Sequence, residues 1–230
     1  MLNHVSVRSS LSYREGQDLA DGVVTSCPAA TLLTLADGAV IYRQSDACRH
    51  AYVVLDGLVM LSRLTADGQR LALALLSRGD WLGSLTMAGE GREAEETAEA
   101  KGSVRLCRVA HADLKGWLAR NPDLAWELIE RTETQRRRLV HKLESLATRD
   151  VRARLAETLR ELLDRFGEPC EHGFAIHVRL TQQELADLVG ASRPVVSTIL
   201  NDLRNLGVLG YSRELICVSR PDTLQDLLVA

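Results

Sequence analysis

The sequence predicts an α+β protein with a β-rich N-terminal region, a long helix, and a small, mainly helical C-terminal region. Three observations support this prediction. Half of the 16 glycines fall between positions 38 and 102, where they separate short apolar runs. No glycine or proline interrupts residues 123–166, which favours long helices. Two short helical patterns then meet at Gly190 and Ala191.

The N-terminal region has the pattern of an antiparallel barrel or sandwich. Its β-prone runs are bounded by glycine at intervals of about 10 residues, which is typical of such folds. The runs are GAVIYR, AYVVLD, LVMLSRL, RLALALL and SVRLCRV. Asp67 and Gly68 lie between the third and fourth runs and predict a hairpin, because glycine accepts the positive φ that tight turns need.

A long helix is predicted after Asn121, Pro122 and Asp123. Residues there recur at spacings of three or four, which places them on one stripe of the helix. The members of the stripe are Leu128, Thr132, Gln135, Leu139, Leu143 and Leu146, and the basic residues on its flanks are Arg136, Arg137, Arg138 and Lys142. The narrow stripe favours pairing with the same helix of a second copy. A helix that simply covers the barrel would show such a stripe too.

A further helix is predicted directly after Asp150, whose short polar side chain can cap a helix start. The pattern VRARLAETLRELLDRF follows, and it must stop at Gly167, Glu168 and Pro169. Asp150 is therefore expected to form a hinge between two domains.

Residues 181–200, TQQELADLVGASRPVVSTIL, fit a helix-turn-helix, although helical hairpins are common and most of them bind nothing. Thr181 and Glu184 have the spacing of a capping box. Gly190 permits the left-handed turn that ends the first helix. Ser192 can cap the second helix, and Pro194 sits in its first turn, where no intrahelical donor is lost.

The second helix of this pair carries an apolar stripe and a polar outer face. The expected core residues are Val195, Ile199 and Leu203, with Val196, Leu200 and Leu206 adding to them. The expected outward residues are Arg193, Pro194, Ser197, Thr198 and Asn201. Gly207, Gly210 and YSRELICV follow, with Arg213 and Glu214 at a turn, and predict a small hairpin of the kind that forms a wing.

Composition limits the classes of protein that fit. The chain has 230 residues and 46% apolar content, enough for one large or two modest globular domains. It shows neither a secretory signal nor a membrane span, so we expect a cytoplasmic protein without a membrane partner. The five cysteines are odd in number and widely spaced, which fits reduced thiols. A net charge of −3 gives no global attraction to nucleic acid, so local geometry must provide any DNA binding.

Three segments together resemble the Crp/Fnr family of bacterial transcription regulators. They are AYVVLDGLVMLSRLTADGQRLALALLSRGDWLGSL, LATRDVRARLAETLRELL and LTQQELADLVGASRPVVSTILNDLRNLGVL. The segment from RLAETLRELL to LTQQELA looks closest to the nitrogen-control branch. The resemblance implies a cyclic-nucleotide-binding-type β-roll at 1–121, a dimerisation helix at 122–149 and a winged helix-turn-helix at 150–230. It also implies a homodimer that binds double-stranded DNA at a near-palindromic operator and contacts RNA polymerase.

The same resemblance implies a set of DNA contacts. Phosphate contacts fall on Thr181, Gln182 and Ser192, with Gln183 beside them. Arg193 stands where members commonly contact a guanine through two hydrogen bonds. The next two base-reading positions, often Glu and Arg, are Pro194 and Thr198, so the operator is expected to differ from the usual one. Val195, Ser197 and Thr198 are expected to add methyl or hydroxyl contacts, and Arg213 lies on the wing.

The resemblance also places an effector pocket in the roll, but its residues depart from the pattern for a cyclic nucleotide. Ser84 replaces the Glu that follows the phosphate-loop glycine, and an Arg-Ser pair is replaced near Glu95 and Glu96, whose carboxylates repel a phosphate. Leu139 and Val140 stand where a Thr-Ser pair holds adenine, so cAMP is not expected. The candidate pocket residues are Gly83, Ser84, Leu85, Glu95, Glu96, Thr97, Gln135 and Leu139.

The identity of the effector stays undetermined at this point. Glu95 also stands where the nitrogen-control branch has an Arg for 2-oxoglutarate. No C-x-x-C exists, so an iron–sulfur cluster is not expected, and neither is a metal. A cation, a neutral ligand, a redox input, or a competent dimer without any ligand remain open.

Two rival classes compete with a regulator. A cupin-like enzyme needs several histidines and a carboxylate that converge on one metal, and His50 alone lies in the barrel segment. No nucleophile elbow or phosphate-binding glycine loop appears elsewhere, so enzymatic activity is not expected. A β-barrel signalling module that binds a small molecule but no DNA is the other alternative.

Overall fold

The computed structural model describes residues 19–85, 93–212 and 215–226. The N-terminal part contains α1 (Leu19–Ser26) and the strands β1 (Thr31–Leu35), β2 (Val40–Tyr42), β3 (His50–Leu64), β4 (Arg70–Leu76), β5 (Trp81–Gly83) and β6 (Thr97–Ala110). Three helices follow, namely α2 (His111–Arg120), α3 (Pro122–Thr148) and α4 (Val151–Phe166). The C-terminal part contains β7 (Gly167–Cys170), β8 (Gly173–Ile176), α5 (Gln182–Val189), α6 (Arg193–Asn205), β9 (Leu209–Tyr211), β10 (Ile216–Val218) and α7 (Pro221–Asp226). Below, the roll means residues 31–110 and the reader means residues 151–226.

The roll is an antiparallel sheet in the order β1-β6-β3-β4, with β2 paired to β6 and β5 paired to β3. Two of the predicted runs, AYVVLD and LVMLSRL, belong to one strand, β3. Gly57 joins them with a φ of 81°, and the register shifts on either side of Asp56. A side chain at Gly57 would collide with the carbonyl of Ser103, so this glycine allows the strand to bend rather than end.

The predicted hairpin lies between β3 and β4, where Leu64 pairs with Arg70. Gly68 takes a φ of 81°, and its N–H donates to the carbonyl of Thr65 over 2.9 Å. The turn therefore forms for the reason that the sequence indicates. With helices following the sheet, the α+β class is confirmed.

One face of α3 packs on the roll, and this corrects the predicted stripe. Leu128 is buried in a cluster with Trp81 and Trp117, and the amide of Gln135 donates to the carbonyl of Trp81 over 3.0 Å. On the same side Lys142 donates to the carbonyl of Ala72 over 2.7 Å. The N-terminal half of the predicted stripe therefore covers the barrel, which is the alternative interpretation of that pattern.

A different face of α3 carries exposed apolar side chains. They are Trp126, Ile129, Leu139, Val140 and Leu143. Trp126 is 64% exposed, whereas Trp81 and Trp117 are buried. Alternating spacings of three and four connect six residues on this face, and this is the repeat of a coiled-coil seam. The seam consists of Trp126, Ile129, Glu133, Arg136, Val140 and Leu143.

The reader is built on α4 and a four-stranded sheet. Asp150 caps α4 by accepting from the N–H of Ala153 over 2.8 Å, as predicted, and α4 ends at Phe166. The sheet order is β7-β8-β10-β9, and its inner face adds Ile176 and Ile216 to the core formed by α4, α5 and α6. Within the described residues, no helix has the length and apolar character that a membrane crossing requires.

The reader packs directly on the roll. Met60, Ala72 and Leu75 of the roll belong to the same buried cluster as the reader core. At this border Lys101 of β6 is only 5% exposed, and its ammonium contacts the carboxylates of Glu99 and Glu184. A buried ammonium between two carboxylates is favourable only while all three stay together, because each charge loses hydration on burial.

A second ionic cluster ties the roll to both long helices. Asp80, in the turn between β4 and β5, is 3% exposed at its side chain and accepts from Arg138 of α3 over 3.2 Å. Arg165 of α4 lies 3.5 Å from the same carboxylate, and also donates to Ser77 over 2.8 Å and to the carbonyl of Leu75 over 3.1 Å. A movement of the turn at Asp80 would therefore act on α3 and α4 at once.

Candidate DNA-binding interface

The first helix of the reader pair, α5, begins with the predicted capping box. Thr181 Oγ1 accepts from the N–H of Glu184 over 3.2 Å, and the N–H of Thr181 donates to Glu184 Oε2 over 2.7 Å. Burial alone would raise the pKa of Glu184, but the hydrogen bonds from Lys101 and Thr181 together hold it below its ordinary value. The start of α5 is thus fixed by the same carboxylate that meets the roll.

The turn between α5 and α6 follows the predicted chemistry at Gly190 and Pro194, but the predicted side-chain cap by Ser192 does not form. Gly190 ends α5 in the left-handed region, with φ 61° and ψ 49°. Ser192 is the N-cap residue of α6, and Pro194 lies in the first turn. The Ser192 side chain makes no capping bond within the described structure, so its exposed hydroxyl is available to an external partner.

The helix α6 buries one face and presents the other to solvent. Val196, Ile199, Leu200 and Leu203 are buried, as expected for the core stripe. Val195 is 43% exposed and Leu206 is 60% exposed, so placing these two in the core is wrong. The helical period of 3.6 residues explains the exposure of Val195. Val196 and Ile199 lie at the centre of the buried face, and Val195 lies at its edge.

The outward face of α6 contains four of the five α6 residues that are expected to contact DNA. Arg193, Pro194, Val195 and Thr198 are exposed, whereas Ser197 is half-buried. The Thr198 hydroxyl donates to the carbonyl of Pro194 over 3.0 Å, which leaves its lone pairs and its methyl group for a ligand. Arg193 sits at the first position of α6, the end that a recognition helix directs toward base edges.

A surface groove of about 420 Å³ joins the two helices. Its lining residues are Thr181, Gln182, Gln183, Arg193 and Tyr211. The Gln183 amide donates to Asp187 over 2.7 Å, which orients this exposed side chain. Tyr211 is the one groove residue absent from the sequence-based set, and its hydroxyl donates to the carbonyl of Leu180 over 2.5 Å. Tyr211 is the last residue of β9, directly before the turn of the predicted wing, and this position in the sequence could have identified it.

Arg213, expected on the wing, lies outside the described residues. The strands before and after it are paired, because β9 lies antiparallel to β10 and the N–H of Ser212 donates to the carbonyl of Leu215 over 2.8 Å. The wing prediction is therefore supported at the base of the hairpin.

In the roll, two of the predicted pocket residues, Gly83 and Glu96, meet at one tyrosine. The phenol of Tyr42 donates to Glu96 Oε1 over 2.8 Å and accepts from the N–H of Gly83 over 3.0 Å. Burial, together with the Glu96 carboxylate, raises the pKa of Tyr42. Thr97 Oγ1 accepts from the N–H of Gln44 over 3.0 Å. The polar groups of this pocket are thus bonded to the protein itself, and sequence reasoning did not identify Tyr42.

The other predicted pocket residues are dispersed. Ser84 and Leu85 are half-buried after β5, where His111 Nε2 contacts the carbonyl of Ser84. Glu95 is exposed, and Leu139 is 43% exposed on α3, whereas Gln135 is bonded to Trp81. Among the described residues, no three His, Cys, Asp or Glu side chains converge in the way that metal ligands do.

A β-roll followed by a winged helix-turn-helix, with an exposed Arg at the start of its second helix, defines a DNA-binding transcription regulator. Comparison with family models agrees with this class. Residues 32–121 match the cyclic nucleotide-binding domain, and residues 153–227 match the Crp-like helix-turn-helix domain. The chain belongs to the Crp/Fnr family of transcription regulators.

Individual relatives cover most of the chain. The global nitrogen regulator of Nostoc sp. is 29% identical over 185 residues, 80% of this chain and 83% of that protein. The CRP-like cAMP-activated global transcriptional regulator of Mycobacterium tuberculosis is 28% identical over 189 residues, 81% and 83% of the two chains. These nearly equal identities do not separate the nitrogen-control branch from the cAMP-activated one.

Solved structures agree with the fold. A CRP/FNR-family transcriptional regulator from Thermus thermophilus superposes with a TM-score of 0.69 at 26% identity, over 87% of this chain and 99% of that one. FixK2 from Bradyrhizobium japonicum gives a TM-score of 0.74 at 22% identity, over 87% and 98% of the two chains, which shows the likeness of the fold alone.

Proposed function

We propose that this regulator acts as a homodimer that places the α6 helix of each protomer in successive major grooves of a near-palindromic operator. The exposed N-terminal half of α6, with Arg193 at its first position, is the observation that carries this proposal. Two half-sites about 34 Å apart, one turn of the duplex, would match two such helices related by a twofold axis.

Arg193 provides the main direct readout in this proposal. Its guanidinium donates two hydrogen bonds to O6 and N7 of a guanine, a geometry that lysine does not reproduce. Val195, exposed beside it, offers methyl groups to a thymine methyl. Pro194 and Thr198 supply a ring and a hydroxyl in place of longer hydrogen-bonding side chains, so fewer base edges are read by charged groups.

Phosphate contacts position the reader in this proposal. Thr181, Gln182 and Gln183 line the groove at the start of α5, and the Ser192 hydroxyl is exposed at the start of α6. Arg213 adds a phosphate contact from the wing. The residues from 150 to 230 include nine basic and twelve acidic side chains, so nonspecific affinity and the salt dependence of binding are expected to be small.

The exposed seam of α3 provides the dimer contact. Trp126, Ile129, Val140 and Leu143 are large apolar side chains in a row, and a row of this kind is costly to leave in water. Glu133 and Arg136 form an ion pair of 2.6 Å at the centre of the seam. Polar residues at seam positions select one register of pairing, so this pair favours one alignment of the two helices.

Two connections could carry a signal from the roll to the reader in this proposal. The Asp80 cluster links the turn after β4 to α3 and α4, and the Lys101 cluster links β6 to α5. An effector would act only if it favoured one arrangement of these contacts over another. The Asp150 position between α3 and α4 then serves as the hinge that sets the spacing of the two α6 helices.

The effector itself is not a cyclic nucleotide in this proposal. The N–H of Gly83 is bonded to the Tyr42 phenol, and Glu96 places a carboxylate beside it, so a phosphate there would lose a donor and meet a negative charge. A neutral ligand, a cation, a redox input or constitutive competence remain compatible with these contacts. Residues 65–70 and 166–173 are candidate contacts with RNA polymerase by family likeness.

Genome-wide footprinting of the purified protein tests the proposed function. Inverted repeats at protected sites are the expected result, because two symmetry-related helices read the same sequence on opposite strands. An Ile129→Glu variant should lose the paired sites, whereas Leu64→Glu, a charge at a roll surface leucine that is 57% exposed, should keep them. Protected sites without any repeat would contradict the proposal.

A further inference from the structure

Two cysteine thiols meet on the sheet of the reader. Cys170 is the last residue of β7 and is exposed, and Cys217 is the central residue of β10 and is half-buried. Their Sγ atoms are 3.9 Å apart. Since the two residues lie 47 positions apart along the chain, the contact depends on the folded sheet.

The strand register explains why the two sulfurs meet. Cys170 lies opposite Gly173 on β8, and Cys217 lies opposite Ala175 on the other side of the same strand. Directly paired residues project to the same face of a sheet, and residues two apart on one strand share a face. Both thiols therefore project from one face, and the β8 residue beside Cys170, Gly173, has no side chain to separate them.

This face is the outer face of the reader sheet. Ile176, Ile216 and Val218 project from the opposite face and are fully buried in the core. Most neighbours of the thiols on the outer face are small: Gly173 and Ala175 on β8, and Gly210, which β9 places opposite Cys217. The exposed Glu168 of β7, which pairs with Ala175, shares this face. A modified sulfur here would meet small residues and solvent rather than a packed core.

We propose that Cys170 and Cys217 form a two-thiol modification site that a hydroperoxide converts to a disulfide within one chain. The thiol of Cys170, the more exposed of the two, loses its proton and attacks a peroxide oxygen. The O–O bond breaks, the sulfur becomes a sulfenic acid, and the leaving oxygen takes up the proton and departs as an alcohol or water. The sulfur of Cys217 then attacks the sulfenic sulfur and water leaves. Two thiols and one hydroperoxide thus give one disulfide, one alcohol or water from the peroxide, and one further water.

The surroundings of the sulfurs agree with these roles. Burial and the hydrogen bond with Cys170 raise the pKa of Cys217, which keeps this partner protonated while Cys170 reacts first. The sulfurs must approach from 3.9 Å to about 2.0 Å, the length of a disulfide bond. Cys170 lies next to the two-residue turn of the β7–β8 hairpin, where a small shift of backbone disturbs few contacts.

The other three cysteines lack this combination of access and proximity. Cys27 and Cys107 are buried in or beneath the roll, and burial raises the pKa of both thiols, that of Cys107 to about 11. Cys48 is half-buried in the roll and serves as a matched thiol outside the pair.

The test treats the full-length reduced protein with one equivalent of hydrogen peroxide, alkylates the remaining thiols, and maps peptides by mass spectrometry. The expected product has lost two hydrogen atoms per chain and links the peptides that contain Cys170 and Cys217. Dithiothreitol should reverse the change. Cys48→Ser should still give this product, whereas Cys170→Ser and Cys217→Ser should not.

A second measurement uses no substitution in the pair. Phenylarsine oxide bridges two nearby thiols through arsenic without any redox change, so it should protect Cys170 and Cys217 together from alkylation. The proposal is overturned if peroxide leaves both residues free, oxidises Cys170 while Cys217 stays alkylated, or links either of them to Cys48 or to another chain. Failure of arsenic to protect the pair would also overturn it.

Discussion

The reader and the roll use their polar residues in opposite ways. On the reader, Arg193 and the Ser192 hydroxyl are exposed and have no partner within the described structure. In the roll, Tyr42 joins Glu96 to the N–H of Gly83, so the groups that could hold an anionic ligand are bonded to one another. The reader thus leaves polar groups open to an external partner, whereas the Tyr42 pocket of the roll satisfies its polar groups within the protein.

The largest effect is expected at the border between the two regions. Lys101→Met removes the ammonium between Glu99 and Glu184 and leaves two largely buried carboxylates facing each other. Breaking a buried ion pair in this way costs about 3 kcal/mol in free energy of unfolding. Urea denaturation of the full chain measures the loss.

Arg105→Met is the matched control for that variant. Arg105 lies on the same strand and pairs with Asp56 over 3.6 Å, but both side chains are more than half exposed. Exposed ion pairs contribute less than about 1 kcal/mol. Equal losses for the two variants would show that the Lys101 cluster does not hold the reader against the roll.

On the reader alone, Arg193→Ala should lower affinity for the operator without lowering stability. Removing a bidentate contact to guanine costs about 1–3 kcal/mol, or roughly a tenfold to hundredfold loss of affinity. Gel-shift titration at fixed salt measures it. Arg204→Ala, at the exposed far end of the same helix, should bind as the unmodified protein does. The assignment of Arg193 fails if the two variants bind alike.

On the roll alone, Tyr42→Phe should lower stability without altering operator specificity. The change leaves Glu96 and the N–H of Gly83 without their shared partner, at a cost of about 1–3 kcal/mol. Thermal unfolding measures it. Tyr52→Phe is the control, because Tyr52 packs beside Tyr42 with ring centroids 5.9 Å apart and its hydroxyl makes no hydrogen bond within the described structure. Equal effects of the two variants would remove the role assigned to Tyr42.

The smallest effect is a dependence of stability on acid pH. Since the folded pKa of Glu184 lies below its ordinary value, its contribution is fully present above the ordinary pKa of about 4.3 and is lost as pH falls through the folded pKa. Glu184→Gln should therefore flatten the decline in stability between about pH 5 and pH 3. Glu171→Gln changes an exposed carboxylate and should leave the decline in stability unchanged. If both variants lose stability with falling pH in the same way, Glu184 does not cause the decline.

The reader is predictable from the sequence because its signals are local. Thr181 and Glu184 are three residues apart, the spacing of a capping box. Gly190 adopts the left-handed conformation, which glycine accepts most readily. Both features can therefore be recognised within one short segment of the sequence. The core position predicted for Val195 is wrong because this residue borders the buried face of α6. Whether a residue at the edge of an apolar stripe is buried depends on how wide the helix contact is, and the sequence does not specify that width.

The roll and the long helix are less predictable because their contacts are distant along the chain. Tyr42 and Glu96 are 54 residues apart, and no spacing rule connects them. On α3, apolar residues recur at helical spacing on two faces. Leu128 faces the roll and Ile129 faces solvent, and only the position of the sheet decides between these two stripes.

The most direct test of the account is the affinity of the protein for its recovered operator before and after insertion of about five base pairs, half a helical turn, between the half-sites. The account predicts that two chains bind the original duplex and that the insertion abolishes tight binding, because the second α6 helix then faces the wrong side of the DNA. Binding by one chain, or an affinity that the insertion leaves unchanged, would contradict the account.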